Sequence, residues 1–314
     1  MEEFCTEIDS YLGNGDSRYF SQGFKHFEFD LHIVRLTEDG FTSTLAASYN
    51  GPGRPRQENP HLGSIEYSAI ALYLAEVHMV KISRLTRSEL ARAFPRDFKM
   101  KINQEVTILS KSQEISVECH QLSSKLTLES LNGSLTELDI KIGRTTCRVI
   151  LDHPGPSQVN LREKNWPIED GTMYSRSYRE RNNEISEINI YESQERISCN
   201  MKVTQTLFQE LSGLGTSFDH IILTDLIVTT GQLMQTLLYR ILKTEREKCP
   251  NIWLRTMEVK FERPEKREKY GVKVNFTDRK MLRIGDHTYH SFSVISKIGN
   301  MDARFNVCHI TDCQ

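Results

Sequence analysis

Two short spacings hold the ionisable residues best suited to chemistry. His61 stands five residues before Glu66, and His220 five before Asp225. The two pairs lie 159 residues apart, close to half of the 314-residue chain. A carboxylate drawn out of water in the first turns of a buried helix is a better base than one in solvent. An imidazole at the mouth of such a site can shuttle protons near neutral pH. A helix start adds N–H groups without intrahelical partners and the positive end of the dipole, which suit an oxyanion. The set fits base-assisted acyl transfer, with no metal and no covalent nucleophile required. The same residues also have a plainer reading. Glu66 and Asp225 suit helix N-termini on dipole grounds alone, and His61 and His220 suit hydrogen-bonded loops. Gln232, seven residues after Asp225, either lines a pocket or packs against a strand.

The elements that would hold these pairs are two segments of helical length that are apolar almost all round, Ser64–Ile82 and Ile221–Leu242. Such helices must be covered on most sides. The remainder of the chain supplies the cover. Phe27, Phe29, Leu31 and Ile33 alternate with polar residues. So do Phe98, Met100 and Ile102; Ile115, Val117 and Cys119; and Leu138 and Ile140 before the run Cys147–Leu151. In the second half the alternation returns at Ile197–Val203, Met257–Phe261, Val272–Phe276 and Phe305–Val307. This is the period of half-buried antiparallel strands. Asn132-Gly133 and Asn182-Asn183 read as hairpin turns.

Strands, buried helix, strands, and then the same order again predict an α+β protein. It resembles a double hotdog, in which two antiparallel sheets each wrap a long buried helix. The expected units are residues 1–155 and 170–314, joined through the polar stretch Asp152–Gly171, which holds Pro154, Pro156 and Pro167. Hotdog proteins as a class handle acyl thioesters, although a fold alone does not fix a reaction.

Composition removes several classes. A net charge of −2, with acids and bases interspersed, argues against a nucleic-acid partner. Mean hydropathy is −0.47, and no apolar run reaches the roughly 18 residues of a membrane span. The acidic start MEEFCTEIDS lacks a signal-peptide pattern. Seven scattered cysteines without a CxxC fit neither a disulfide framework nor a zinc site. These features predict a cytoplasmic protein.

The segment Tyr11–Phe24 (YLGNGDSRYFSQGF) resembles the N-terminal signature of the avirulence protein D (AvrD) family, which has a Leu-Gly pair, then Arg, two aromatics, Gly and another aromatic. Pro60-His61-Leu62 and Asp219-His220, each leading into a helix, match later landmarks, and the likeness spans most of the chain. The resemblance implies a role in making syringolide-type acyl glycoside signals, by joining a β-ketoacyl thioester to a pentulose. The family is in turn similar to the A-factor (γ-butyrolactone) synthesis proteins, which use dihydroxyacetone phosphate. Those carry Glu followed closely by Arg-Gln in the second helix. Here the acid is Asp225 and no Arg-Gln pair follows it.

The implied partners are a coenzyme A or acyl-carrier-protein thioester and a sugar or sugar phosphate, with no other cofactor. The implied chain is a monomer or homodimer. Asp225 is the leading base, with His220 assisting; Glu66 and His61 are the first-half counterparts, and duplicated hotdogs often keep chemistry in one half. Arg54 and Arg56, in Gly51–Arg56, suit a phosphate of the substrate or a solvated basic loop. Two rival readings stand beside this. One is thioester hydration or hydrolysis, against which the dehydratase pattern of His, Pro and Gly before a Glu is absent. The other is a non-catalytic acyl-binding or effector protein.

Overall fold

The computed structural model describes residues 2–5, 7–51, 59–108, 112–127, 130–155, 171–205, 212–218, 220–244, 252–285 and 287–312. Arg54 and Arg56, and residues 156–170 of the expected join, lie outside the described residues. The start of that join is not linker: Asp152 is fully buried in a strand, where it accepts hydrogen bonds from Ser130 and from the backbone N–H groups of Leu131 and Asn132.

In the first half, β1 (Glu2–Cys5) and the short helix α1 (Asp9–Leu12) lead to β2 (Phe27–Leu36) and β3 (Gly40–Tyr49). Then come α2 (Ser64–Lys81), α3 (Arg87–Arg92), β4 (Phe94–Lys101), β5 (Gln113–Leu126), β6 (Gly133–Ile142) and β7 (Thr145–Pro154). In the second half, β8 (Arg181–Tyr191) and β9 (Arg196–Gln205) precede α4 (Leu223–Leu242). After α4 run β10 (Ile252–Phe261), β11 (Tyr270–Ile284), β12 (His287–Ile298) and β13 (Met301–Asp312).

These strands form a single antiparallel sheet in the order β1-β8-β9-β11-β12-β13-β10-β4-β7-β6-β5-β3-β2, not the two separate sheets expected from the sequence, because β4 pairs with β10 and joins the two wings. From the central β4–β10 pair outward, the two wings repeat one connectivity, with β2 answering β8 and β7 answering β13. The arrangement is the α+β hotdog type: a long helix laid against an antiparallel sheet. Helix α2 packs on β5, β6 and β7, α4 packs on β8, β9, β11 and β12, and the helices touch each other.

Burial follows from the all-round apolar pattern. Every residue from Ile65 to Val80 is buried, as is every residue of α4 from Leu223 to Met234. At about 1.5–3 kcal/mol for each large aliphatic side chain removed from water, the two helices anchor the core. Among the described residues, no helix is long and apolar enough to cross a membrane. The helices begin at Ser64 and Leu223, again 159 residues apart. Cys119, Cys147 and Cys199 are buried free thiols, and burial pushes each above its ordinary value.

Asn182-Asn183 is not a turn. Both residues sit in β8, paired with Thr204 and Val203 of β9. The Asn183 amide donates to the Asp225 carbonyl at 3.0 Å and the Thr229 hydroxyl at 3.2 Å, so the strand is tied to α4. Asn132-Gly133 does close the β5–β6 connection, with Gly133 at φ 106°.

A second repeat emerges around the helices. Residues 18–24 (RYFSQGF) and 172–178 (TMYSRSY) make the same loop. Backbone N–H groups of Gln22 and Gly23 donate to the Arg18 carbonyl, and that of Phe24 to the Tyr19 carbonyl. In the second copy Arg176 and Ser177 donate to Thr172, and Tyr178 to Met173. Each loop feeds a 3-10 turn and then the first long strand of its half. Phe24 and Tyr178, equivalent in the two copies, stack at 6.2 Å.

The second copy closes over a buried acid of α2. The Thr172 hydroxyl and the Leu214 N–H both donate to the Glu76 carboxyl. Burial outweighs these bonds and pushes Glu76 up from 4.5 to about 8. The folded protein therefore holds a proton there that the unfolded chain releases above about 4.5, so this group alone costs increasing stability as pH rises from about 4.5 toward 8. Urea unfolding between pH 5 and 8 should show this decline, at up to about 1.4 kcal/mol per pH unit from this group. Glu76→Gln, which cannot ionise, should flatten that slope.

Candidate functional site

Both acids singled out by the sequence occupy the third position of their helices and do the same local work. The Gly63 N–H donates to Glu66 Oε2 at 2.8 Å, and the Ile222 N–H to Asp225 Oδ2 at 2.9 Å. Each is a capping carboxylate facing the positive end of its own helix. The second partner differs. The Tyr19 hydroxyl also donates to Glu66 Oε2. A Cβ at Gly63 would lie 2.3 Å from that hydroxyl, so the residue must be glycine for Tyr19 to approach.

Asp225 instead meets Arg181, the first residue of β8. Arg181 Nε donates to Oδ1 at 3.1 Å and Oδ2 at 3.0 Å, and Nη2 donates to Oδ2 at 2.7 Å. Nη1 bonds the Gln205 side-chain oxygen, and Nη2 the His220 carbonyl. Both charges are buried, at 8% and 3% side-chain exposure. Oδ2 takes three of the four donor contacts from Arg181 and Ile222, and Oδ1 takes one.

A cavity of about 380 Å³ opens beside this pair. Its wall combines Thr224, Asp225, Val228 and Gln232 of α4 with Arg181, Asn183 and Ile185 of β8 and with Arg18, Phe20 and Phe24 of the first loop. Glu7, Asp9, Asp16 and Glu184 ring it. Phe20 reaches α4 because position 231 is glycine: a Cβ there would meet the Phe20 ring at 2.7 Å. The counterpart on α2 is Leu72, fully buried. Arg18 is 4% exposed and bonds Asp9 at 2.5 Å.

The structure thus brings Asp225 and Gln232 to one wall. His220 touches the arrangement through its carbonyl; its ring Nδ1 donates to the Phe218 carbonyl at 2.8 Å, and its ring packs edge-on against Phe218. His61 pairs with Thr107 in an isolated bridge, with Nε2 4.0 Å from Glu105. Neither imidazole lines the cavity, and neither does Glu66. Tyr67 and Tyr73 are core residues, and the Tyr67 hydroxyl accepts the Val106 N–H. Two residues of the wall carry no functional signal in the sequence: Arg181 stands among charges of both signs, and Asn183 follows Asn182 in a turn-like pair. The loop repeated at 18–24 and 172–178 shares only the serine of Ser21 and Ser175, so its likeness lies in backbone bonds and not in sequence.

The family model described as Pseudomonas avirulence D protein (AvrD) matches residues 3–311. No curated protein matches the sequence. Among solved structures, a tesB protein of Mycobacterium avium subsp. paratuberculosis is 12% identical with a TM-score of 0.41, over 88% of this chain and 95% of that one. The dehydratase domain from the CurJ module of curacin polyketide synthase is 9% identical with a TM-score of 0.42, over 94% and 98%.

Removing either member of the Arg181–Asp225 pair strands a buried charge. Arg181→Met should cost about 3–5 kcal/mol in urea unfolding, and Arg181→Met with Asp225→Leu should recover part of that loss. Gly231→Ala should displace Phe20 at a cost of about 1–3 kcal/mol.

Proposed function

The chain belongs to the AvrD family, and from that premise we propose that it is an enzyme joining a β-ketoacyl thioester to a ketose, or to its phosphate, to make the precursor of a butenolide or syringolide-type acyl glycoside. In this reading the fold is a double hotdog, with units 1–155 and 170–314 forming an internal pseudo-dimer. The thioester comes from coenzyme A or an acyl carrier protein in the cytoplasm, and no other cofactor takes part.

The observation that carries the reading is the cavity at the start of α4. It unites Asp225 and Gln232 with the loop that bears the family signature. Asp225 Oδ1 is the base, being the oxygen with the single contact from Arg181. It takes the proton of the sugar hydroxyl as that oxygen attacks the thioester carbonyl. A C–O bond forms, the C–S bond breaks, and the thiol leaves with a proton. The first turn of α4 faces the oxyanion. The carbon between the two carbonyls then gives up a proton and closes onto the ketone of the sugar, with loss of water. Arg181 is a positioning residue, fixing the carboxylate through three N–H contacts.

A second reading, acyl binding without turnover, draws on the capping roles of Glu66 and Asp225, which account for both acids structurally. Thiol release separates the cases. Incubated with a β-ketoacyl thioester, the protein should release thiol only when xylulose or dihydroxyacetone phosphate is present. Asp225→Asn should slow that release by about 10²-fold or more. Release without sugar would mean a thioesterase; tight binding without release would mean a carrier or effector. Undiminished sugar-dependent release by the Asn variant would remove Asp225 from the mechanism.

A further inference from the structure

The repeated plan leaves one strand edge covered and its counterpart bare. The 154-residue spacing between the loops at 18–24 and 172–178 carries on into the strands, so Leu31, Val34 and Leu36 of β2 fall on Ile185, Ile188 and Ile190 of β8. β1 pairs antiparallel with residues 188–191, and Ile188 and Ile190 are 0% and 1% exposed. β2 has no such neighbour among the described residues: it pairs with β3 and ends the sheet. Val34 and Leu36 are 71% and 53% exposed. A bare edge that carries apolar side chains is a template for another strand. The irregular pairing between Ile33 and Arg35 does not bar one, since β8 is irregular between Ser186 and Asn189 and β1 pairs from Ile188 on.

Two features of the edge select the strand that fits. The first is its own pattern. Leu31, Ile33 and Leu36 lie opposite Leu45, Ser43 and Phe41, all buried, and so share the helix side of the sheet. Asp30, His32 and Arg35 lie opposite Ala46, Thr44 and Thr42 on the other face. An antiparallel copy of β2, turned about a twofold axis between Ile33 and Val34, sets Leu31 against Leu36 and Ile33 against Val34 of the second copy. Each face meets its own kind, and Asp30 lies diagonal to Arg35 of the second copy.

The second feature is charge. The same register carries the β2–β3 turn of the second copy past Phe29 and Glu28, toward a groove at the start of β2. Lys25, Arg176 and Arg179 line that groove together with Glu28, Asp30 and Glu180. Lys25 is bonded to Asn182, and Arg179 to the Phe27 carbonyl with Glu28 3.9 Å away. Arg176 is the exposed cation of the three. The incoming turn holds Glu38 and Asp39, both exposed. The Asp39 carboxylate accepts from the Thr37 hydroxyl at 2.8 Å, which leaves Glu38 for Arg176.

We propose that the bare edge of β2 is the seat of a symmetric dimer, in which β2 pairs antiparallel with β2 of a second copy and Glu38 of each meets Arg176 of the other. The contact is small, with residues 30–37 on each side, and suits an exchange of monomer and dimer with a Kd of about 1–100 µM.

Sedimentation equilibrium of the full chain tests this. Wild type should pass from monomer to dimer across that range. Leu36→Lys should weaken the dimer about tenfold or more, whereas Met281→Lys, at a comparably exposed apolar position on β11, should leave it unchanged. Arg176→Glu and Glu38→Arg should each weaken it about three- to tenfold, and the two together should restore wild-type association. All four positions are exposed, so each variant should keep its Tm within about 2 °C of wild type. A wild type that stays monomeric at every concentration up to about 200 µM would overturn the proposal. So would a dimer that survives Leu36→Lys, or a loss that the double charge reversal fails to restore. Binding of a labelled peptide with the sequence of β1 to the edge of a chain that stays monomeric would overturn it too, since the seat would then belong to a separate strand.

Discussion

The structure depends on hiding two helices that have no polar face. A surface helix needs one covered stripe, whereas α2 and α4 need cover all round. The sheet covers one side of each, the other helix covers part, α3 packs on α2 and α1 on α4, and the loops at 18–24 and 172–178 add further cover. Each polar residue inside these helices then becomes a commitment. Glu76, Asp225 and Gln232 are all buried, and the structure answers the two acids with Thr172 and Leu214 or with Arg181.

The first loop shows how few residues the closure requires. Tyr19 reaches Glu66 at the start of α2, and its neighbour Phe20 reaches Gly231 in α4. Two successive side chains thus touch both buried helices, and Arg18, just before them, stands on the cavity wall. A signature that looks in sequence like an aromatic patch is a clasp across the two halves. Glycine at 63 and at 231 makes the room on either side.

The two halves share a plan but do not share its use. The same loop, 3-10 turn, strand order and capping acid occur twice. Around one helix, α2, Leu72 and Tyr73 fill the surface and Thr172, from the second half of the chain, is bonded to Glu76. Around the other, Gly231 and Gln232 stand at the corresponding places and a cavity remains. A repeated plan needs only a few such differences in side-chain volume to keep one opening and fill the other.

The sequence by itself determined the elements and their repetition. Two helical runs apolar almost all round, with alternating strands around them, leave few ways to avoid water, and the 159-residue spacing of His61 and Glu66 from His220 and Asp225 matches that between the two helix starts. Hydrophobic period is a local property, so it could be read locally. What touches Asp225 was decided only in three dimensions. Arg181 lies 44 residues away on a strand, Phe20 and Arg18 reach the same cavity from the other half, and His220 turns its ring to its own loop. Asn182-Asn183 became strand because pairing with β9 and a bond to α4 outweighed the turn preference of asparagine. Partners of a buried charge are chosen by packing across the whole chain, and no local spacing encodes that choice.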